Sequence, residues 1–422
     1  MSNRVVITGL GVVAPNGVGV PEFFEAVKAG KSGIRFDQQL ADLNFSCQIS
    51  GKPQLEDALI SKCFTELELR NFNASGIMYG VIAGMEAWKD AGLSIENSTD
   101  PDWDSGTIFG TGTSGIDKFR ESIYKIDDLQ TRKLGSTAVA QTMNSGVSAY
   151  LAGKLGLGNQ VTTNSSACTT GTESILMAYD RIKSGQAKRI LCGSTSDSGP
   201  YIWGGFDAMK VCTFKHNDSP EKGSRPMSES ASGFVPGSGA GALLLEDLES
   251  ALERNATIYA EVLGGHLNSG GQRGGGTMTA PNAVAVRKCI SDAIQNAGIK
   301  SDQIDAINGH LTATTKDALE IANWTQALDR EGSGFPYINS LKSMIGHCLS
   351  ASGSIESVAS VLELHHGLVF PNINCEDIHP EIGLLVDSSR IPTRLLVKDL
   401  KIVAKASFGF GDVNGCIIFK KY

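Results

Sequence analysis

The chain has 422 residues, of which 41% are hydrophobic and 19% charged, and it carries a net charge of −8 at pH 7. That length predicts two or three domains at about 150 residues each, and the composition excludes a disordered chain. The acidic balance argues against a general nucleic-acid binder, although an acidic partner can still dock on a local basic patch; no apolar run reaches the ~18 residues of a membrane span.

The N-terminus opens directly into a buried-strand pattern, Arg4 to Val13, without the parts of a signal peptide. Nine cysteines without a CxxC pair read as free thiols of a reducing compartment, so a cytoplasmic location is expected. Helices are expected at Pro21 to Gly30 and Asn73 to Gly92. Asp104 to Gly115 is a strand running into a Gly/Thr loop, but it has neither GxxxxGK[ST] nor GxGxxG, so no nucleotide is expected there. Thr131 to Ser148 is polar and then helical. Val161 to Thr163 ends a strand, and Thr172 to Ser184 has apolar residues at helical spacing. Lys188 to Ser194 and Gly239 to Glu246 are further buried strands.

The second part of the chain reads as a weak copy of the first. The helix ending Trp88 to Leu93 is echoed at Gln295 to Ile299, and the strand Thr107 to Thr111 at Ile304 to Asn308. The segment around Cys168 is echoed by His347 to Gly353 with its helix to Leu364. Arg189 to Cys192 is echoed by Lys401 to Ala404, and Gly241 to Leu245 by Gly415 to Phe419. The matches keep the same order, which predicts a duplicated α/β unit with its joint near Leu252 to Ile258. The halves are then 1–255, carrying Cys168, and 256–422, carrying His310 and His347. Equivalent placement of Cys168 and His347 would let them meet at one site.

Cys168 sits in a run of small residues between a strand and a helix, the setting of a nucleophile elbow. The adjacent helix N-terminus is expected to favour its thiolate and to offer N–H groups to an oxyanion. Three further stretches place reactive or flexible groups just beyond strands: Ile307 to Thr314 with His310, Asn339 to His347 with Lys342, and Ala406 to Asn414, a glycine-rich turn. A metal held by Cys168, His310 and His347 is the alternative for this trio. It lacks HExxH or a local carboxylate pair, and no metal is expected. His365 and His366, near a helix end, read as capping or surface groups.

These motifs resemble the elongating β-ketoacyl–acyl-carrier-protein synthases of the thiolase fold. They are Ser-Ala-Cys168-Thr-Thr-Gly171, the strand ending in His310 with Thr312 and Thr314, Lys342-Ser-Met-Ile-Gly-His347, and Ser407-Phe-Gly-Phe410-Gly. The resemblance covers essentially the whole length. It implies an α/β fold of duplicated βαβαβαββ halves in α-β-α-β-α layers, and a Cys–His–His site for decarboxylative condensation of an acyl thioester with malonyl-acyl-carrier protein. Cys168 would carry the acyl group. His310 and His347 would hold the enolate, and the N–H groups of Cys168 and Phe410 the oxyanion. By the same resemblance Lys342 and Glu320 support His310, Thr312 and Thr314 bind the pantetheine amides, and Phe408, Gly409, Phe410, Gly411 and Asp412 form a mobile gate. No cofactor is implied beyond the phosphopantetheine of the acyl carrier protein. A homodimer is implied, with a heterodimer as the variant, and neither nucleic acid nor membrane as partner.

The chain departs from the family pattern at Leu311, expected to narrow the pantetheine entry, and at Asp412, expected to stiffen the gate and place a carboxylate near the site. The loop after His310 is about a residue short. Thr113 and Phe206 map to the acyl pocket. The small, polar Thr113 suggests an acyl chain other than a long saturated one, such as an unsaturated or aryl-bearing chain. Lys210, Lys215, Lys222 and Arg225 form a basic cluster for carrier docking, with only Lys62 and Arg70 in the other docking region. A non-catalytic, chain-length-factor-like subunit is the competing reading; such subunits typically lack the nucleophile, which is present here.

Overall fold

The structure is a computed structural model that describes residues 3–95 and 99–422. The first half contributes strands β1 (Val5–Ala14), β2 (Ser105–Thr111), β3 (Val161–Thr162), β4 (Arg189–Ser196) and β5 (Gly239–Asp247). The second contributes β6 (Ala260–Ser269), β7 (Ala306–Asn308), β8 (Tyr337–Asn339), β9 (Ile402–Gly409) and β10 (Val413–Lys420). Their hydrogen-bonded orders are β3-β2-β4-β5-β1 and β8-β7-β9-β10-β6, the same permutation twice. The halves join where Val5 to Ile7 of β1 run antiparallel to Ala260 to Val262 of β6. The repeats read in the sequence therefore correspond to a true duplication of topology.

The helices that matter here are α1 (Ser75–Asp90), α2 (Ile116–Asp127), α3 (Thr170–Lys183), α4 (Ala283–Asn296), α5 (Asp317–Leu328) and α6 (Ser352–His366). α1 covers the outer face of the first half and α4 that of the second, while α3 and α6 touch strands of both halves. The result is the layered α-β-α-β-α arrangement. Position in these layers explains the sequence patterns. β1 is buried along its whole length, as strands covered on both faces must be. α6 is buried from Ser352 to Leu364, so it is small and apolar nearly all round rather than amphipathic. None of the described helices is long and apolar enough to cross a membrane.

α3 and α6 cross at two glycines. A Cβ on Gly171 would come 2.3 Å from the Ser354 nitrogen, and one on Gly353 would come 2.6 Å from the Thr172 nitrogen. This reciprocal contact fixes the register of the two halves. Each helix follows a short turn, Ala167–Thr169 and Leu349–Ala351, whose first residue is left-handed: φ is 50° at Ala167 and 51° at Leu349. The structural counterpart of Cys168 is thus Ser350, which corrects the equivalence expected with His347. His347 lies three residues before that counterpart. The duplication still brings the two together, because both turns open at the crossing.

Candidate active site

Between β3 and α3 the backbone bends sharply. Thr170 Oγ1 accepts from the Ser166 N–H at 2.9 Å and donates to the Ala167 carbonyl at 2.7 Å, while Asn164 Nδ2 donates to the Thr170 carbonyl at 2.9 Å. These bonds hold Ala167 in its left-handed conformation, which costs a non-glycine residue about 1–3 kcal/mol, and they aim Cys168 inward. Burial pushes the Cys168 thiol up to about 11; the Lys342 charge and the N–H groups of Phe410 and Cys168 itself pull in the opposite direction. Desolvation therefore outweighs the helix end, contrary to the expected thiolate.

His347 Nε2 lies 3.1 Å from Cys168 Sγ. Its Nδ1 accepts the Leu349 N–H at 3.2 Å and lies 2.9 Å from Ser352 Oγ. With Nδ1 accepting, a neutral imidazole carries its proton on Nε2, toward the sulfur. His310 lies edge-on to His347, ring centres 5.4 Å apart, and its Nδ1 is buried without a partner. Burial holds both imidazoles well below the ordinary histidine range, reinforced by the Lys342 and Lys405 charges. The three ligating atoms come within 4.8 Å of one another, the spacing of a metal trio. The grouping includes no carboxylate.

Beneath the trio lie buried charges that the sequence did not reveal. Lys342 pairs with Glu356 of α6. Lys405 of β9 lies 2.8 Å from the other oxygen of Glu356. Glu320 accepts the backbone N–H groups of His310 at 2.7 Å and Leu311 at 2.8 Å, and burial pushes it up to about 7. Asp317 accepts from Met227, Thr312 and Ala313 and closes the shortened loop. Lys405 is the single charge of a buried strand, which signals that it is partnered but not by what.

Two cavities meet at Cys168. One, lined by His310, Thr312, Thr314, Lys316 and Phe408, leads outward; Thr312 Oγ1 and Thr314 Oγ1 are 3.1 Å apart at its side. The other is lined by Thr113, Ile116, Tyr201, Ile202 and Ser350. Phe206 and Phe410 line both, their rings 5.9 Å apart, so they stand between them. Gly409 packs on the elbow: a Cβ there would come 3.1 Å from the Cys168 nitrogen. Lys316 at the channel wall was missed in the sequence, where it looked like one more surface lysine.

The departures read differently in three dimensions. Leu311 is fully buried in the core of the second half and does not line the channel, so it does not narrow the entry. Asp412 takes a left-handed φ of 62°, but its carboxylate turns away from Cys168. It accepts the N–H groups of Gln272 at 3.1 Å and Asn282 at 2.8 Å, binding the Phe408 to Asp412 turn to the loop 270–282. In the basic cluster Lys210, Lys215 and Lys222 are exposed, whereas Arg225 is engaged by Glu376 and Asp377. Lys62 and Arg70 are exposed. His365 and His366 are exposed in the last turn of α6, stacked near Tyr259 and Phe24.

Residues 2–251 match the family described as beta-ketoacyl synthase, N-terminal domain, and residues 259–376 match its C-terminal domain. The 3-oxoacyl-[acyl-carrier-protein] synthase 2 of Vibrio harveyi is 34% identical over 429 residues, covering 99% of this chain and 98% of that protein. Among solved structures, the type II polyketide synthase acyl-carrier protein in complex with its ketosynthase bound to the hexaketide (AntDE:AntF) matches with a TM-score of 0.88 at 28% identity, covering 100% of both chains. The ishigamide ketosynthase/chain length factor matches with a TM-score of 0.87 at 27% identity, again over 100% of both.

Proposed function

The chain belongs to the β-ketoacyl synthase family, and we propose that Cys168, His310 and His347 carry its condensation. The observation that carries this reading is the 3.1 Å contact of His347 Nε2 with Cys168 Sγ, beside His310 and where the two cavities meet. In the first half-reaction Cys168 Sγ attacks the carbonyl of an acyl thioester, the carbon–sulfur bond to the carrier breaks, the Cys168 proton passes to the departing carrier sulfur, and the acyl group stays on Cys168. In the second, a malonyl thioester enters the outer channel and loses CO₂. The His347 Nε2–H and the His310 imidazole hold the resulting enolate oxygen. The carbanion attacks acyl-Cys168, a carbon–carbon bond forms, and the carbon–sulfur bond breaks to return the thiolate. The N–H groups of Cys168 and Phe410, which act on the resting sulfur, face the same place as the tetrahedral oxyanion. Lys342 and Glu320 position the pair.

Thr312 and Thr314 bind the pantetheine arm, and the acyl chain occupies the cavity past Phe206 and Thr113, with the stretch Phe408 to Asp412 as the gate. No cofactor is needed beyond the carrier's own phosphopantetheine. The acyl carrier protein docks on Lys210 and Lys215, with exposed Phe214 between them. The acyl cavity reaches Tyr201, and Arg120 lies between the Tyr201 and Tyr124 rings, next to exposed Phe119 and Ile123 of α2. An apolar face of this kind calls for a partner, a second copy or a related subunit that closes the cavity.

The test is formation of β-ketoacyl-carrier product, followed by mass spectrometry, from malonyl-carrier and acyl-carriers of equal length. Polyene or aryl chains should be extended faster than saturated ones. A clear preference for saturated chains would reject the substrate reading, and no product from any of them would reject the condensation.

A further inference from the structure

The cluster beneath the histidines holds one more charge than the family reading uses. Lys342, Glu356 and Lys405 are all buried, each with a side-chain exposure of 1% or less. Glu356 divides its two oxygens between the two ammonium groups. One carboxylate thus faces two cations in a region closed to water, where a charge is felt strongly. Lys405 is further held by its contacts to the Ala406 carbonyl and to Ser407 Oγ at 3.1 Å. Ser407 Oγ in turn lies 2.8 Å from Thr172 Oγ1 on α3. Lys405 is therefore fixed in place between the sheet and both central helices, on the strand that runs on into the Phe408 to Asp412 turn.

We propose that Lys405 is a positioning residue of the active centre: by sharing Glu356 with Lys342 it leaves a net positive charge beneath His310 and His347. This rests on the assignment of those histidines above. The charged and titratable groups around the two imidazoles are Cys168 on the elbow, Lys342 after β8, Glu356 on α6, Lys405 on β9, Glu320 and Asp317 on α5, and the exposed Lys316 at the outer channel wall. Glu320 gives its two oxygens to backbone N–H groups, and Asp317 is spent on its loop. Lys342 alone would be balanced by Glu356. The second lysine tips the balance, so that both imidazoles remain neutral donors and an anion arriving between them meets a positive field. Burial lowers the Lys405 ammonium from its ordinary range, and the Glu356 charge opposes that.

The experiment is NMR titration of the His310 and His347 ring protons in the full-length protein, from about pH 8 to about pH 5, without any acyl carrier. In the wild type both rings stay neutral. In Lys405→Met at least one should gain its proton inside that window, a rise of about one unit or more, and the acid limb of the pH–rate profile should move up with it. Lys405→Arg, which keeps the charge, should titrate as the wild type. If Lys405→Met does not fold, Lys405→Gln, which can still donate to Ser407 and Glu356, carries the same expectation. Histidines that titrate as in the wild type in the neutral variants, or that shift equally in Lys405→Arg, would overturn the proposal. Because no carrier is present, a failed condensation would count against the reaction assigned above and leave this result standing.

Discussion

At the scale of single residues, burial decides the behaviour of several ionisable groups in the core of this protein. Glu363 accepts from Asn339 Nδ2 at 2.5 Å and the Phe370 N–H at 2.6 Å, yet desolvation pushes it up to about 8. The folded protein holds that proton to higher pH than the unfolded chain, whose glutamates titrate near ~4.3. Stability from this group is therefore complete below ~4.3 and is lost as pH rises through about 8, a change on the order of a few kcal/mol. Glu363→Gln should flatten the decline of the urea midpoint between those values and be more stable than the wild type at alkaline pH. Parallel midpoint curves would contradict it. The residues of the site were unevenly legible. Cys168, His310 and His347 stood out because each follows a strand in a small or polar run. Glu356 and Lys405 did not, because a buried ion pair depends on two distant segments meeting, and neither segment carries its partner's position.

Among the elements, the strands and helices that the sequence did predict fell close to their bounds, because their periodicity reflects the layers they pack in, whereas Ala260–Ser269, Ile116–Asp127 and Asp317–Leu328 carried no expectation. Loops were the reverse. The stretch 270–282 carried no expectation from sequence, yet its Gly270 and Gly276 make room for the Asp412 carboxylate, which a Cβ on either would approach to 2.1 and 2.4 Å. Gly411 donates its N–H to the Met278 carbonyl at 2.8 Å. The Phe408 to Asp412 turn and this loop are thus tied by two backbone bonds, Gly411 to Met278 and Gly270 to Asp412, and by the Asp412 carboxylate, so a residue seen in sequence as a lost glycine supplies the side-chain part of the tie. Asp412→Ala should raise hydrogen exchange in 270–282 and around 409–412 with the global unfolding midpoint nearly retained. Unchanged exchange in 270–282 would show that the carboxylate does not hold the loop. The elbow illustrates the same limit: its strand–turn–helix order was readable, but the left-handed Ala167 and the match of Cys168 with Ser350 appear only once the halves are superimposed by their glycine crossing.

For the whole molecule, duplication is the feature that makes the site. Two copies of one topology meet along β1 and β6 and cross at Gly171 and Gly353, so the ends of strands from both halves converge on one sulfur. The repeat was visible in sequence because each half must present the same buried strands in the same order. The surfaces carry less of a pattern, since exposed charges are free to vary. Arg225, taken from sequence as part of the docking cluster, is neutralised by Glu376 and Asp377, which leaves Lys210, Lys215 and Lys222 exposed for the proposed docking of an acidic carrier. Reversal to Lys210→Glu and Lys215→Glu should raise KM for carrier-bound substrate several-fold, leave kcat nearly unchanged, and lose its effect as salt is raised. Equal KM values at low salt would remove the docking role.

The central claim is that Cys168 carries the acyl group between the two half-reactions. The direct measurement is intact-protein mass after mixing with acyl-carrier protein substrates, wild type against Cys168→Ala, followed by malonyl-carrier. The expected result is an acyl adduct on the wild type alone, which disappears as β-ketoacyl-carrier forms. An adduct that persists in Cys168→Ala, or a folded wild type that takes up no acyl group from any carrier, would contradict it and turn the search to a partner subunit that supplies the nucleophile.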